Sequence, residues 1–362
     1  MKLNSLDITN FLSYRAATEH FDSNLVTLTG ANGSGKSSFL ESIVWGLYGK
    51  TQRNSLDKHI PNILDPNKAN VTISFDGLSI FRQKNPSYLT YTLDGKVVRE
   101  KTNSDTQDSF EKLINLKYKT FLATAYYDDA LRSPFLDLSA EERRNIICDY
   151  FDLTPFLTLK KKFKEKLDER SDMLKAINLL SSTNKLIDRT FTKKRKLLSE
   201  EAKYLDFWYK VLGDNYILKN LLAPLFVKLT DEINNFLKLL FNEQIFCSIQ
   251  ADYDVFLRID QKELSPKSLS LSQKKRLNLA IMLALGKVLD DMNPPKLKLR
   301  IFDEFTSIDV ETRKLFKRLL EKLAEEYQVF VVTHDLDLFN ELSGTKLRTS
   351  MHEKVTLLER VV

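Results

Sequence analysis

The chain has 362 residues, of which 43% are hydrophobic and 29% charged, and its net charge is +6. It can build one large domain or two ordinary ones. No apolar run approaches the roughly 18 residues of a membrane-spanning helix, and no apolar signal segment follows Lys2. Cys148 and Cys247 stand apart, without the CxxC spacing of metal and redox sites. We therefore expect a protein of a reducing, cytoplasmic compartment that has no membrane contact.

Positive charge is concentrated in three runs, Lys160–Lys162, Lys193–Lys196 and Lys274–Arg276. Clustered Lys and Arg attract polyanions, and phosphate neutralisation supplies most of non-specific nucleic-acid affinity. The same runs suit the solvated face of an ordinary helix. The charge pattern allows nucleic-acid binding and leaves a plain solvated surface equally open.

Residues 1–155 have the pattern of mixed α/β structure. Short alternating or apolar runs predict strands at 3–8 and 25–29. Two later pairs of β-rich runs are joined by Asp76-Gly77 and Asp94-Gly95, a dipeptide that favours a type I′ hairpin turn. Two hairpins in series predict an antiparallel sheet beside the main sheet.

Residues 156–212 are rich in Lys, Glu, Leu and Arg and contain no Pro or Gly before the end of the segment. Steps of four and three residues predict a coiled-coil seam. Its members are Ile187, Phe191, Lys194, Leu198, Glu201, Leu205 and Trp208. Ser181–Asn184 is the predicted turn between this helix and an upstream arm. A short antiparallel coiled coil is favoured over a helical hairpin within a globular domain.

Residues 213–362 return to α/β character. A strand-helix-strand rhythm there predicts a parallel sheet. The predicted elements are helices at 225–240, 277–289 and 310–326, a hairpin at 245–259, and strands at 298–302 and 328–333.

Gly30–Ser37 is a complete GxxxxGK[ST] P-loop, placed between a predicted strand and a predicted helix. Glycines let backbone N–H groups approach phosphate, and the helix N-terminus adds partial positive charge. Lys36 is predicted to reach the β- and γ-phosphates of ATP, and the Ser37 hydroxyl to ligate Mg²⁺. The other predicted nucleotide ligands here are Asn32, Gly33, Ser34, Gly35 and Ser38.

The strand predicted at 298–302 runs into Asp303 and Glu304, the Walker B pattern. Asp303 is predicted to hold Mg²⁺ and Glu304 to polarise the attacking water. Asp309 follows at the spacing of a D-loop and is predicted to contact nucleotide. His334 ends the next strand, where a γ-phosphate sensor would lie, although a lone His at a strand end is usually structural.

Ser268–Arg276 opens the apolar helix predicted from residue 277 and is similar to an ABC signature motif. Ser270, Ser272 and Gln273 are the predicted ligands of a second subunit's ATP, at a helix N-terminus. Leu271 and Ser272 stand where the motif usually has two glycines. A plain helix cap at Ser270 or Ser272 stays open as the other interpretation.

The order of these motifs, with more than 200 residues between P-loop and signature, resembles the SMC-like repair ATPases of the SbcC type. Within that family the closest likeness is to the bacteriophage recombination exonuclease subunit. The supporting segments are Ile8–Tyr14, Trp45–Lys50 with Arg53, Ser133–Arg144 and Phe207–Asp214.

The resemblance implies an α/β fold, an ABC-type P-loop ATPase head made of N- and C-terminal lobes with an antiparallel coiled-coil hairpin insert. The implied domains are 1–155, 156–212 and 213–362. The implied activity is Mg²⁺-dependent ATP hydrolysis in an ATP-dependent homodimer on double-stranded DNA. The nuclease activity would reside in an SbcD-type metal-dependent partner.

Three features depart from the family pattern. Asp129 stands where the family has a Q-loop Gln, and it is predicted to reach the metal. The signature glycines are absent, and the short insert lacks the CxxC of an apical zinc hook. A minimal natural arm and an arm shortened from a longer one both stay open. Two other functions also stay open, an SMC-type structural DNA clamp and a RecF-like DNA-gap-binding ATPase.

Overall fold

The computed structural model describes most of the chain in strands and helices separated by short gaps. The described stretches are residues 1–51, 60–62, 68–128, 135–151, 153–183, 185–213, 216–250, 252–259, 262–303 and 310–361. The strands are β1 (Leu3–Phe11), β2 (Tyr14–His20), β3 (Leu25–Gly30), β4 (Ala69–Phe75), β5 (Leu78–Lys84), β6 (Tyr88–Leu93), β7 (Lys96–Val98), β8 (Tyr126–Asp128), β9 (Ile245–Ile249), β10 (Val255–Ile259), β11 (Lys262–Leu264), β12 (Leu299–Asp303), β13 (Gln328–Val332), β14 (Thr345–His352) and β15 (Val355–Val361). The helices are α1 (Lys36–Tyr48), α2 (Asn103–Ile114), α3 (Tyr118–Thr124), α4 (Ala140–Tyr150), α5 (Thr154–Thr183), α6 (Lys185–Val211), α7 (Ile217–Leu240), α8 (Leu271–Met292), α9 (Val310–Ala324) and α10 (Leu336–Glu341).

The first sheet is antiparallel and has the strand order β2-β1-β4-β5-β6-β7. Both predicted hairpins, β4–β5 and β6–β7, are present. In the second turn Asp94 and Gly95 both have positive φ, as a type I′ turn requires. In the first turn only Gly77 has positive φ, and Asp76 accepts a hydrogen bond from Asn4 on β1. The type I′ prediction is therefore wrong for the first hairpin.

The second sheet has the order β15-β14-β3-β13-β12-β8. Its strands are parallel except for β15, which returns antiparallel beside β14. Strands β3 and β8 come from the first part of the chain and β12–β15 from the last part, so one sheet joins the two. The predicted parallel sheet is confirmed, and β3 lies inside it between β13 and β14.

Both faces of this parallel sheet are covered, as is usual for parallel sheets. Along β13, Val329 and Val331 belong to one hydrophobic core, and Phe330 and Val332 belong to the other. The core that contains Phe330 and Val332 also contains α1, which packs against the antiparallel sheet. Gly46 permits this packing, because a Cβ there would lie 2.7 Å from Ile73 Cδ1 of β4. The core that contains Val329 and Val331 also contains residues of α7, α8 and α9.

Helices α5 and α6 form the predicted helical hairpin. The Phe163 ring faces Trp208 at 6.5 Å, and Arg170 Nε lies 2.7 Å from Glu201 Oε2. Moving seven residues along α5 thus moves the contact seven residues back along α6, which is an antiparallel heptad register. The antiparallel hairpin that the predicted fold class includes is thereby confirmed.

Two details of the hairpin differ from the sequence prediction. Lys194 and Glu201 are exposed, whereas Leu198 is buried and Arg195 and Ala202 are partly buried. The face of α6 that packs on α5 therefore lies beside these two charged residues and not on them. Burying Lys194 or Glu201 in the seam would remove the water that solvates the charge. Helix α5 also continues through Thr183, so the first three residues of the turn predicted at Ser181–Asn184 are helical, and Asn184 lies outside the described residues. No helix in the described part of the chain combines the length and apolarity that crossing a bilayer requires.

Candidate active site

The P-loop connects β3 to α1 near the middle of the parallel sheet. Helix α1 begins at Lys36, after Gly35 with a φ of 100°, and it has no side-chain cap. Its first N–H groups are thus left for an anion, and the helix dipole favours negative charge at the same place. The strand, loop and helix predicted around this motif are all present.

Gly35 is enclosed by the last hairpin of the chain. A Cβ atom there would lie 2.1 Å from Thr356 Oγ1, and the positive φ is itself unfavourable for other residues. Gly33 has a φ of 75° but no atom within 4 Å of its hypothetical Cβ. It therefore shares the backbone strain without the close contact.

We expect Gly35→Ala to lower the free energy of unfolding by about 3 kcal/mol, from backbone strain and overpacking together. Gly33→Ala should lower it by only about 1 kcal/mol, since it adds strain alone. Urea denaturation of the two variants measures the difference. Equal losses would show that Thr356 does not restrict the loop.

The Lys36 side chain lies within the P-loop and is 4% exposed. Its Nζ donates to the carbonyl oxygens of Gly30 at 3.0 Å and Ala31 at 2.9 Å. The ammonium is therefore hydrogen-bonded to the same loop in which it is predicted to bind phosphate. Asn32 and Gly33 lie at the exposed rim of the same loop, and Ser38 is half-buried in the first turn of α1.

Ser34 forms hydrogen bonds within the protein through both its hydroxyl and its backbone N–H. Its Oγ lies 2.6 Å from Thr349 Oγ1, and its N–H donates to the Ala31 carbonyl at 3.1 Å. Thr349 Oγ1 in turn donates to the Thr29 carbonyl. Ser34 thus ties the P-loop to strand β14, and its predicted contact with nucleotide stays a prediction.

Ser37 and Asp303 meet at the carboxyl edge of the sheet, although the chain separates them by 266 positions. Ser37 Oγ donates to Asp303 Oδ1 at 3.3 Å, and the Tyr126 hydroxyl donates to Asp303 Oδ2 at 3.0 Å. A hydroxyl and a carboxylate are hard oxygen donors of the kind that Mg²⁺ prefers, with water and substrate phosphates completing its shell. These residues fit a Mg²⁺ ion bound together with a nucleotide.

His334 follows β13, which lies between β3 and β12 in the sheet. Because these strands are parallel, their carboxyl ends share one edge, and His334 lies at the edge that carries the P-loop and Asp303. It is half-buried and precedes Asp335, the N-cap of α10. The other predicted residues Glu304, Asp309 and Asp129 lie outside the described residues.

The predicted signature segment forms the start of α8. Ser270 is the N-cap and makes a capping box with Gln273, in which each side chain accepts from the other residue's backbone N–H. Ser272 is half-buried, and Leu271 is 72% exposed. The interpretation as a cap therefore holds within one chain, and contacts with a second subunit stay a prediction.

Three side chains that support the P-loop and the Asp303 carboxylate were not predicted as site residues. Tyr126 touches Asp303, while Thr349 and Thr356 brace the P-loop from β14 and β15. No strand was predicted after residue 333, so β14 and β15 were missed. Buried residues do alternate through Thr345, Leu347 and Thr349, but two of the three are polar, which weakens the signal for a strand.

Fold and site together define a P-loop ATPase head of the ABC and SMC type, with a lobe from each end of the chain and a helical-hairpin insert. The chain belongs to the AAA-domain family, whose model matches residues 5–238. Family membership and the intact P-loop establish the chain as a nucleotide-binding protein of an ATPase family.

The relatives that the chain is similar to include phage exonuclease subunits and a DNA-repair ATPase. The chain is similar to "Exonuclease subunit 2" of Escherichia phage RB69, 31% identical over 39% of this chain and 26% of the relative. "Exonuclease subunit 2" of Enterobacteria phage T4 is 30% identical over 35% of this chain and 23% of the relative. "DNA double-strand break repair Rad50 ATPase" of Thermococcus kodakarensis is 26% identical over 51% and 22%. The matches span only about a quarter of these relatives, and they confirm the resemblance to SbcC-type repair ATPases.

Solved structures of SMC heads have the same fold. The SMC head of Pyrococcus furiosus with an extended coiled coil, bound to the C-terminal domain of ScpA, superposes with a TM-score of 0.64 at 19% identity, over 99% of this chain and 96% of that one. The SMC head domain of Thermotoga maritima has a TM-score of 0.56 at 16% identity, with full coverage of both chains. The predicted ATPase-head architecture is thereby confirmed.

Proposed function

We propose that this chain is the ATPase subunit of a DNA end-processing nuclease complex, in which ATP-driven head dimerisation binds DNA and gates a partner nuclease. The observation that carries the proposal is the meeting of Ser37 and Asp303 at the end of the P-loop, inside an SMC-type head. Names of the phage and Rad50 relatives support the assignment to DNA repair and recombination.

The hydrolytic step uses residues at the carboxyl edge of the parallel sheet. Lys36 would neutralise the β- and γ-phosphates, and Ser37 and Asp303 would hold Mg²⁺, which would supply charge screening for the transferred phosphoryl group. Glu304 orients and polarises the attacking water, and His334 senses the γ-phosphate. Asp129, which stands at the sequence position of the family's Q-loop Gln, would be a further metal ligand.

A second copy of the chain completes each nucleotide site. Ser270, Ser272 and Gln273 at the start of α8, together with Asp309, contact the ATP held by the opposite head. The exposed start of α8, with Lys274 and Lys275 in its first turns, is suited to an anion supplied from outside the chain. Hydrolysis then opens the dimer.

The partner is an SbcD-type metal-dependent nuclease, and the DNA is double-stranded. Support comes from the names of two kinds of relative, the phage exonuclease subunit and a subunit of the SbcCD nuclease of Clostridium acetobutylicum. The SMC head solved with the C-terminal domain of ScpA shows that a head of this fold can bind another protein.

Glu304→Gln is expected to double the solution mass of the protein when Mg·ATP is present, because removing the carboxylate blocks turnover and traps the closed dimer. Light scattering coupled to gel filtration measures the mass. Adding Lys36→Ala should return the protein to a monomer at the same nucleotide concentration. A Glu304→Gln variant that stays monomeric at high protein concentration with Mg·ATP contradicts autonomous head dimerisation.

A structural DNA clamp is the second candidate, favoured by the likeness to SMC heads. The 30 residues of α5 give an arm of about 45 Å at 1.5 Å per residue. Such an arm is short for tethering distant DNA segments. Reconstitution with an SbcD-type nuclease separates the two functions, since only the first predicts ATP-dependent degradation of linear duplex DNA.

A further inference from the structure

The Asp303 carboxylate is held from two sides. Ser37 Oγ donates to Oδ1 at 3.3 Å, and the Tyr126 hydroxyl donates to Oδ2 at 3.0 Å. Asp303 and Tyr126 are each 1% exposed. A buried carboxylate with a donor on each oxygen has one preferred orientation, because rotation would break both hydrogen bonds of a group that is almost wholly buried.

Strand pairing places Tyr126 where it can make this contact. Strand β8 lies parallel to β12, with Tyr126 opposite Ile301 and Asp128 opposite Asp303. Side chains two residues apart on neighbouring strands point to the same face, and a long side chain can reach its diagonal neighbour. The Tyr126 ring spans this diagonal, so its hydroxyl reaches Oδ2 of Asp303 while Ser37 binds Oδ1.

We propose that Tyr126 is a positioning residue for the metal-binding carboxylate. By occupying Oδ2 of Asp303, it keeps Oδ1 directed toward Ser37 and the P-loop, in the orientation that a Mg²⁺ ion bound with the nucleotide requires. This inference rests on the proposed ATPase function and deepens it. Outer-shell partners of ligating carboxylates commonly tune metal affinity in this way.

Tyr126→Phe tests the proposal, because it keeps the buried ring and removes only the hydroxyl. The Mg²⁺ concentration for half-maximal binding of a fluorescent ATP analogue should rise about tenfold or more, within the range found for outer-shell partners. Binding of the analogue in excess EDTA should change by less than about twofold. In ATP hydrolysis, the Mg²⁺ requirement should rise while KM for ATP at saturating Mg²⁺ stays near that of the wild type.

Tyr127→Phe is the matched control. Tyr127 is the next residue of β8, on the opposite face, where its ring stacks on Phe302 at 4.8 Å and its hydroxyl donates to the Thr124 carbonyl at 2.5 Å. This variant also loses one buried hydroxyl, so it reports the structural effect of such a loss. Its Mg²⁺ requirement should equal that of the wild type.

Three outcomes would overturn the inference. They are an unchanged Mg²⁺ requirement in Tyr126→Phe, an equal rise in both variants, and an equal loss of binding with and without Mg²⁺. Failure of the proposed function is distinguishable, because it would be seen in the wild-type protein itself as absent or Mg²⁺-independent nucleotide binding.

Discussion

Replacing Lys36 with alanine is expected to lower the affinity for ATP at least ~100-fold, the effect of losing two charge-assisted hydrogen bonds of about 1.5 kcal/mol each. The Lys36 ammonium is held inside the P-loop by the Gly30 and Ala31 carbonyls, at 3.0 and 2.9 Å. When ATP binds, we expect the ammonium to exchange these neutral acceptors for charged phosphate oxygens. The alanine variant has no ammonium to make that exchange, so the phosphates lose a positive partner inside the loop.

Equilibrium binding of a fluorescent ATP analogue measures this loss, and a thermal melt shows whether the fold is kept. Lys322→Ala is the control, because Lys322 is an exposed lysine on α9 that pairs with Glu325 at the surface. It removes the same charge far from the P-loop and should leave binding unchanged. A Lys36→Ala variant that binds ATP within about threefold of the wild type would be inconsistent with a phosphate-binding role.

The second large effect concerns stability. Asp290→Ala is expected to lower the free energy of unfolding by about 3–5 kcal/mol, since it leaves a buried guanidinium without its counter-charge. Arg300 Nη2 lies 2.5 Å from Asp290 Oδ2, and the two side chains are 3% and 9% exposed. Tyr327 donates its hydroxyl to the same oxygen at 2.9 Å, and its ring centroid lies 3.9 Å from the Arg300 guanidinium carbon.

This ion pair joins α8, which follows its N-cap Ser270, to β12, which ends at Asp303. Urea denaturation should show a lower midpoint for Asp290→Ala, and the double replacement Asp290→Leu with Arg300→Met should recover most of the loss, because no unpaired charge then remains buried. Glu325→Ala breaks an exposed ion pair and should change stability by less than about 1 kcal/mol. If Asp290→Ala and Glu325→Ala cost the same, the buried pair has no special role.

Several elements of the fold could be predicted because their signals are local. The Asp-Gly pairs marked two hairpins of the first sheet, β4–β5 and β6–β7, and the P-loop marked the junction of β3 with α1. The helical hairpin was predicted from its heptad spacing, yet Lys194 and Glu201 proved exposed. Heptad spacing assigns residues to one face of the helix. The cost of desolvating a charge then decides which residues of that face the partner helix covers.

The sequence by itself determined the class of fold and indicated the candidate site residues, because the P-loop, the Walker B strand and the helix cap are each a contiguous segment. Each of these segments has a pattern that follows from backbone or phosphate geometry. Only the tertiary structure decided which of them meet. Ser37 and Asp303 are 266 positions apart, and Tyr126 reaches Asp303 through the pairing of β8 with β12. Thr349 likewise reaches Ser34 because β14 pairs with β3. Contacts between distant segments depend on strand order and register, which arise from packing of the whole core and leave no local pattern in the sequence.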